Sequence, residues 1–438
     1  MKSDQYLPQV RAQYEALPYP PRDPADEKTR LVRTWLDDLA MLNHYCYAGQ
    51  QSFCDRFRVL VAGGGTGDST IFLAEQLRHT NAEIVHLDLS QAAIDIARQR
   101  AGIVGLNNIT WVHESLLALP GLGLGQFDYV NCLGVLHHLD DPDQGLRALL
   151  SARKEGGALG IMVYGKYGRS GVYQMQALMR LINQGAPDAT TMIRNTRDVL
   201  EAAPPTNWFK CGEELFHDHK HGGDAGIYDL LLHTQDRAYT VDELYEWFEG
   251  RHGLHLALTC RGRGRSAYLP EMVVAPQQPR FLESVRALPL RQQYAIAELL
   301  SGSVTMHTFF ATQSAASRAP YGDADYVPGF FNGPSGPQLA ALIRQHRSLP
   351  FMVDDPATGI KGLLTPGKYG DFIVQHIDGR RDFSAVFAAV RAEPALRAAP
   401  PDDAALFRDF QALFEFLTAI DRLLLRHRTV EPVSNSGI

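Results

Sequence analysis

The run of this 438-residue chain that could do chemistry is Val59-Leu-Val-Ala-Gly63-Gly-Gly65-Thr-Gly67-Asp68. Glycines let a turn pass close to a ligand, and a helix starting behind them would aim unpaired N–H groups at it. Asp88 stands 21 residues beyond Gly67, at the end of the next apolar run. A carboxylate placed there can accept both hydroxyls of a ribose. The Gly-x-Gly-x-Gly spacing differs from the Gly-x-Gly-x-x-Gly of dinucleotide sites, so a pyrophosphate cradle is disfavoured.

Positioning these groups needs strands before them and helices after them. Strands are predicted at Arg58 to Ala62, Ile84 to Leu87, Ile109 to His113, Phe127 to Cys132 and Ala158 to Tyr164. Helices are predicted from Ser69 to Arg78, Ser90 to Arg100 and Asp143 to Lys154. Alternation of this kind implies right-handed crossovers and a mostly parallel sheet. Beyond Gly165 the alternation stops. Thr240-Val-Asp-Glu243 reads as a capping box. Two more strands are expected, Leu254 to Cys260 and Ser303 to Thr312, with a helical stretch from Arg280 to Leu300 between them. Ahead of the first strand, Tyr14 to Arg22 carries Pro18, Pro20 and Pro21 and reads as an extended, tyrosine-bearing arm.

Composition narrows the class. The chain is 45% hydrophobic and 21% charged, which excludes disorder over its whole length. Lys+Arg 42 against Asp+Glu 49 gives −7, so a protein that coats phosphates with cations is not expected, and nucleic acid is not an expected partner. Five scattered cysteines without a Cys-x-x-Cys pair give no thiolate zinc site or disulfide framework. No stretch approaches ~18 consecutive apolar residues and the N-terminal sequence lacks a signal-type apolar core, so a cytoplasmic protein without membrane spans is expected.

From about Arg58 to Tyr164 the sequence resembles the class I S-adenosylmethionine-dependent methyltransferases. Val59 to Gly67 matches their first motif, Asp88-Leu-Ser90 the acidic end of the second strand, and Glu114-Ser115 the adenine-side position after the third. Phe127-Asp-Tyr-Val-Asn-Cys-Leu-Gly-Val-Leu-His-His-Leu139 matches the fourth-strand motif. The resemblance implies a Rossmann-like α/β core with a mostly parallel seven-stranded sheet. It implies S-adenosyl-L-methionine as donor and S-adenosyl-L-homocysteine as product. Cofactor contacts are expected from Gly63, Gly65, Gly67, Asp68, Asp88, Leu89, Glu114, Ser115, Asn131 and Leu133. Val61 stands where the family commonly has an acidic residue, and Asp68 is expected to take over part of its role.

Methyl transfer is an in-line displacement, so the protein mainly supplies alignment and dryness, with a base only where the acceptor must lose a proton. The catalytic candidates are His137, Tyr164, His217 and Asp236; the acceptor-binding candidates are Tyr19, Tyr167, His233 and Arg237. His137 either faces the methyl group or packs. Asp236 and Arg237 either bind acceptor or pair with each other. His217-Asp-His-Lys-His221 has metal-like spacing but reads better as a polar lid loop, so no metal is expected. Arg261-Gly-Arg-Gly-Arg265 reads as a solvated loop.

Three regions are expected: an arm over residues 1–45, a methyltransferase domain over 46–315 with an acceptor-pocket insertion at 165–240, and a mainly helical accessory domain over 316–438. A Pro/Gly-rich stretch from Pro320 to Pro337 marks the last transition. Leu406, Phe410, Leu413, Leu417, Ile420 and Leu424 are expected to form one helical seam, and Phe372 to Arg428 suggests a small winged-helix-like module. The acceptor is expected to be a nitrogen or oxygen of a protein or peptide side chain. A small molecule of specialised metabolism is the rival, and a non-catalytic cofactor-binding regulator a second one. Homodimerisation stays open.

Overall fold

The structure, a computed structural model, describes residues 8–431. Residues 1–7 of the expected arm and the last seven residues of the accessory region lie outside the described residues. The central sheet has eight strands: β1 (Arg58–Ala62), β2 (Glu83–Asp88), β3 (Ile109–His113), β4 (Phe127–Leu133), β5 (Arg153–Gly165), the two-residue β6 (Ala238–Tyr239), β7 (His255–Thr259) and β8 (Met306–Thr312). Their order is β3-β2-β1-β4-β5-β8-β7, with β6 paired to β5. The pairs from β3 through β5 are parallel, while β8 runs antiparallel to both β5 and β7. The strand order reverses between β1 and β4. In open α/β sheets ligands bind outside the carboxyl ends at such a point.

β1 shows why the sheet is buried on both faces. Side chains alternate across a strand, so Leu60 and Ala62 enter one apolar cluster and Val59 and Val61 the other. An apolar run without polar alternation is what a parallel strand covered by helices requires. Behind β1 the turn ends at Gly67, which caps the helix Asp68–Gln76 at φ 101, a backbone region that side-chain-bearing residues avoid.

Several elements depart from expectation. The arm is helical over Pro8–Ala16 before becoming irregular, because its first proline sits at the helix start, where no N–H is needed. The stretch Arg280 to Leu300 is two helices, Phe281–Arg286 and Leu290–Ser301, with Pro289 capping the second. The capping box at Thr240 is present, with Thr240 and Glu243 each bonded to the other's backbone N–H.

Past residue 316 come β9 (Tyr326–Phe330), the hairpin β10 (Phe351–Asp355) and β11 (Ile360–Leu364), and β12 (Leu423–His427). Four helices, Gly336–Gln345, Gly370–His376, Phe383–Ala392 and Asp403–Ala419, pack around Phe383, Phe387, Phe410 and Leu413. The expected seam is corrected here. The helix stops at Ala419, Asp421 turns at φ 51, and Leu424 lies in β12, paired with β9.

One buried carboxylate is among the contacts that tie this region to the rest. Asp421 is fully buried and accepts from Trp35 Nε1 at 3.2 Å, Thr259 Oγ1 at 2.5 Å and the Tyr45 hydroxyl. Leu424 joins the same apolar cluster as Val59 and Phe310. Asp421→Ala would strand three buried donors. A loss of about 3 kcal/mol is expected, read as a lower urea midpoint with unchanged m; an unchanged midpoint would make the network dispensable.

Candidate active site

A cavity of about 370 Å³ opens at the carboxyl edge of the sheet, over β1, β2, β4 and β5. Among the described residues none beyond Met306 lines it. Its size falls within the roughly 300–1,000 Å³ of small-molecule sites.

One half is built by the glycine turn. Asp88 ends β2 and is buried, with Oδ2 accepting from Gly65 N–H at 2.7 Å and Oδ1 from Ser90 N–H at 2.8 Å. Burial pushes its carboxyl up, against these hydrogen bonds. The carboxylate thus ties the turn to the strand while its remaining lone pairs face the cavity. Gly63, Gly64, Gly65, Leu89, Asn131, Leu133 and Val135 line the same half. Gly65 has φ 51, and a Cβ there would lie 2.6 Å from the Tyr19 carbonyl oxygen.

That contact shows what the arm does. Thr66 Oγ1 donates to Pro20 O at 2.7 Å, and Arg22 Nε donates to Asp68 Oδ1 at 2.9 Å. Glu15 accepts from Gln91 N–H, Ala92 N–H and Ser90 Oγ at the start of the helix Gln91–Ile103, where a negative charge is favoured. Asp68 also receives Arg100 Nη1 at 2.8 Å, and Arg100 is itself buried against Glu27. Burial raises the Asp68 carboxyl, but the Arg22 and Arg100 guanidiniums outweigh it and hold it low. Both Asp68 oxygens are therefore occupied by guanidinium. Beneath them Asn131 Nδ2 donates to Asp37 Oδ1 at 2.6 Å, and Asp37, a buried acid that no motif signals, keeps Oδ2 without a partner.

The other half is lined by Tyr14, Tyr19, Tyr164, His138, Asp218, Asp229, Arg169, Met162 and Met306. The Tyr14 hydroxyl donates to Asp229 Oδ1 at 3.0 Å and that of Tyr164 to Oδ2 at 3.4 Å. The Tyr19 hydroxyl donates to Asp218 Oδ1 at 2.7 Å. Burial raises the Asp229 carboxyl to about 6. Burial, with Asp229 adding to it, holds the Tyr14 and Tyr164 hydroxyls protonated. Burial also pushes His138 down to about 4, so its imidazole is neutral. The Arg169 guanidinium lies 3.5 Å over the Tyr164 ring.

The expected residues divide by these positions. Gly63, Gly65, Asp68, Asp88, Leu89, Asn131, Leu133, Tyr19 and Tyr164 line the cavity. Gly67 shapes the turn from behind. Glu114 is exposed and accepts from Ser115 N–H, and Ser115 is buried as a helix cap; neither reaches the cavity. His137 is buried against Tyr164, ring centroids 3.8 Å apart, with both ring nitrogens unpartnered, and its neighbour His138 faces the cavity instead. His217 is exposed and stacks on His221, because the helical turn Asp218–His221 turns Asp218 inward. Asp236 sits behind the wall, accepting from Gln176 at 3.1 Å and 3.7 Å from Arg169. Arg237 is exposed over Tyr239, and Tyr167 is half-buried away from the cavity. His233 lies one layer out, stacked on His138 at 3.9 Å. Asp218 and His138 were one residue from candidates chosen by type. Asp229 and Arg169 carried no spacing signal of their own.

The chain and its fold are similar to known proteins. A family model described as a methyltransferase domain matches residues 60–159. The uncharacterized protein syc1184_c of Synechococcus sp. is 30% identical over 320 residues, 73% of this chain and 74% of that one. A ubiquinone biosynthesis O-methyltransferase of Albidiferax ferrireducens is 29% identical over 160 residues, 36% of this chain and 59% of that one. The structure of PKMT2 from Rickettsia typhi in complex with AdoHcy shares the fold at a TM-score of 0.58 and 14% identity, covering 90% of this chain and 76% of that one. The chain belongs to the class I S-adenosylmethionine-dependent methyltransferases. It is an enzyme whose methyl donor is S-adenosyl-L-methionine. No helix among the described residues is long and apolar enough to cross a membrane.

The residues fit that donor. Asp88 suits the ribose hydroxyls, the glycine turn leaves room for a close approach, and the apolar wall of Leu89, Leu133 and Val135 suits a flat base. The donor brings a methyl group already activated on a sulfonium; the chain aligns the acceptor and keeps water out. The arm closes both halves, so Arg22→Ala, which leaves Asp68 held by Arg100 alone, is expected to cut turnover about tenfold at subsaturating donor while moving the melting temperature little. An unaltered kcat/KM would make the arm a passive cover.

Proposed function

We propose that this methyltransferase transfers its methyl group to a nitrogen of a cationic amine carried by a protein or peptide side chain. One observation carries the reading: the acceptor half presents two carboxylates, Asp229 and Asp218, each held by tyrosine hydroxyls, at the same cavity as Asp88. Anionic groups attract an ammonium, and a carboxylate can accept its proton. The three tyrosine rings add faces suited to a cation. The arm and the 165–240 insertion act as the roof of this half, and residues 316–438 form an accessory domain remote from the chemistry.

A second reading is a small-molecule hydroxyl acceptor. The 160-residue similarity to a ubiquinone biosynthesis O-methyltransferase favours it. Extract from cells lacking the gene, incubated with the enzyme and methyl-labelled donor, separates the two. Label in the protein fraction that survives acid hydrolysis as an N-methylated amino acid supports the amine reading. Label confined to small neutral or phenolic products overturns it in favour of the second.

A further inference from the structure

The stacked imidazoles of His138 and His233 are set in opposite senses by the backbone of one residue, Gln235. The carbonyl of Gln235 is 3.0 Å from His138 Nδ1, and the N–H of Gln235 points at His233 Nδ1 at 3.1 Å. A carbonyl only accepts and an amide N–H only donates. His138 therefore carries its hydrogen on Nδ1 and leaves a lone pair on Nε2. His233 accepts on Nδ1 and carries its hydrogen on Nε2. The rings stack at 3.9 Å and 24°, and His138 lines the cavity. His233 Nε2 meets the Tyr14 hydroxyl at 3.4 Å, and Tyr14 donates onward to Asp229.

A ring nitrogen of each imidazole and an oxygen of Asp229 lie within 4.8 Å of one another, all three residues buried. The grouping resembles a two-histidine, one-carboxylate metal site. The tautomers argue otherwise: His233 accepts on Nδ1 from Gln235 N–H and so presents a hydrogen, not a lone pair, on Nε2. What remains is one imidazole lone pair beside one carboxylate.

We infer that His138 is a positioning residue for the acceptor amine: its Nε2 accepts one N–H while Asp229 accepts the other, and the Gln235 carbonyl fixes the tautomer that makes this possible. This rests on the amine reading above. A neutral primary amine has two N–H groups and one lone pair. With His138 and Asp229 lining one cavity, contacts of about 2.9 Å from each can converge on one amine nitrogen. Holding both N–H groups leaves the lone pair as the single free direction. The ammonium first loses one proton to water. The amine lone pair then forms the N–C bond as the S–CH₃ bond breaks, and that bond's electron pair stays on sulfur. The product ammonium sheds a further proton to water. His138 gains no net proton; it supplies direction.

The test uses the full chain with S-adenosylhomocysteine bound and histidine labelled with ¹⁵N, the signals assigned from His138→Gln and His233→Gln spectra. The expected spectrum has His138 protonated at Nδ1 only and His233 at Nε2 only. Adding n-butylamine, a mimic of a lysine side chain, should shift His138 Nε2. In titrations the amine should bind at least about tenfold more weakly to His138→Leu and within about threefold of wild type to His138→Gln, which keeps an acceptor at the Nε2 position; S-adenosylhomocysteine affinity should hold in both. The reverse tautomer on His138, or butylamine binding that leaves Nε2 unmoved, overturns the inference and leaves the amine reading standing. Failure of butylamine to perturb any cavity residue overturns both.

Discussion

Asp88→Asn is expected to weaken S-adenosylhomocysteine binding by at least about a hundredfold, near 3 kcal/mol. Asp88 does two jobs at once. It holds Gly65 and Ser90 through their N–H groups, at 2.7 and 2.8 Å, and it keeps lone pairs for a ligand's hydroxyls. An amide of the same shape has only one oxygen, so its NH₂ must face the backbone N–H of either Gly65 or Ser90. Either choice leaves a buried donor without a partner. The change also removes a buried carboxyl whose charge burial disfavours, which offsets part of that cost in the fold. Calorimetry on a variant that melts normally decides the matter. Affinity within threefold of wild type would mean that Asp88 serves the turn alone.

Asp229→Asn is expected to cut turnover by two to three orders of magnitude, about 3–4 kcal/mol in the barrier, while S-adenosylhomocysteine affinity stays within a few fold. The same substitution should stabilise the fold near neutral pH. The folded-state value is about 6 against about 3.8 in the unfolded chain. A raised carboxyl favours the protonated fold, so its penalty is absent below about 3.8, grows as pH rises to about 6, and is complete above that. A shift near two units corresponds to roughly 3 kcal/mol, an upper bound because the tyrosine bonds to a true carboxylate are lost as well. Wild-type turnover should show an acidic limb near pH 6, since only the ionised form attracts an ammonium. Denaturation at pH 5 and 7.5 checks the stability sign, and a kcat/KM profile checks the limb. A variant with full turnover would move the acceptor away from Asp229.

A gain in stability with a loss of activity also separates Asp229 from Asp421. Both are buried carboxylates. Asp421 meets three donors from three distant segments and faces no cavity, so its removal is expected to cost stability alone. The expected outcomes differ in sign because one carboxylate is balanced by the fold and the other is left for a ligand.

The sequence by itself determined the elements whose meaning is local. Val59 to Ala62 has no polar face, so it must be buried on both sides of a sheet. Gly65 and Gly67 stand at φ 51 and 101, values that select glycine by sterics alone, and Asp88 follows from the strand that must come next. Thr240 and Glu243 cap a helix because their spacing lets each side chain reach the other's backbone. These interactions span a few residues or one β-α-β unit, so their spacing is visible in one dimension.

The acceptor half is different in kind. Tyr14 meets Asp229 across 215 residues and Tyr19 meets Asp218 across 199. Whether His137 or His138 faces the cavity depends on the turn Leu136–His138, where one residue rotates the ring from wall to core. His217 and Asp218 exchange places for the same reason. Residue type marked the right neighbourhood, but a single step along a helical turn swings a side chain by about 100°. The opposite tautomers of His138 and His233 come from the backbone of Gln235, whose side chain says nothing about them. Such a contact is written in no residue type, and only the tertiary arrangement of the three segments could decide it.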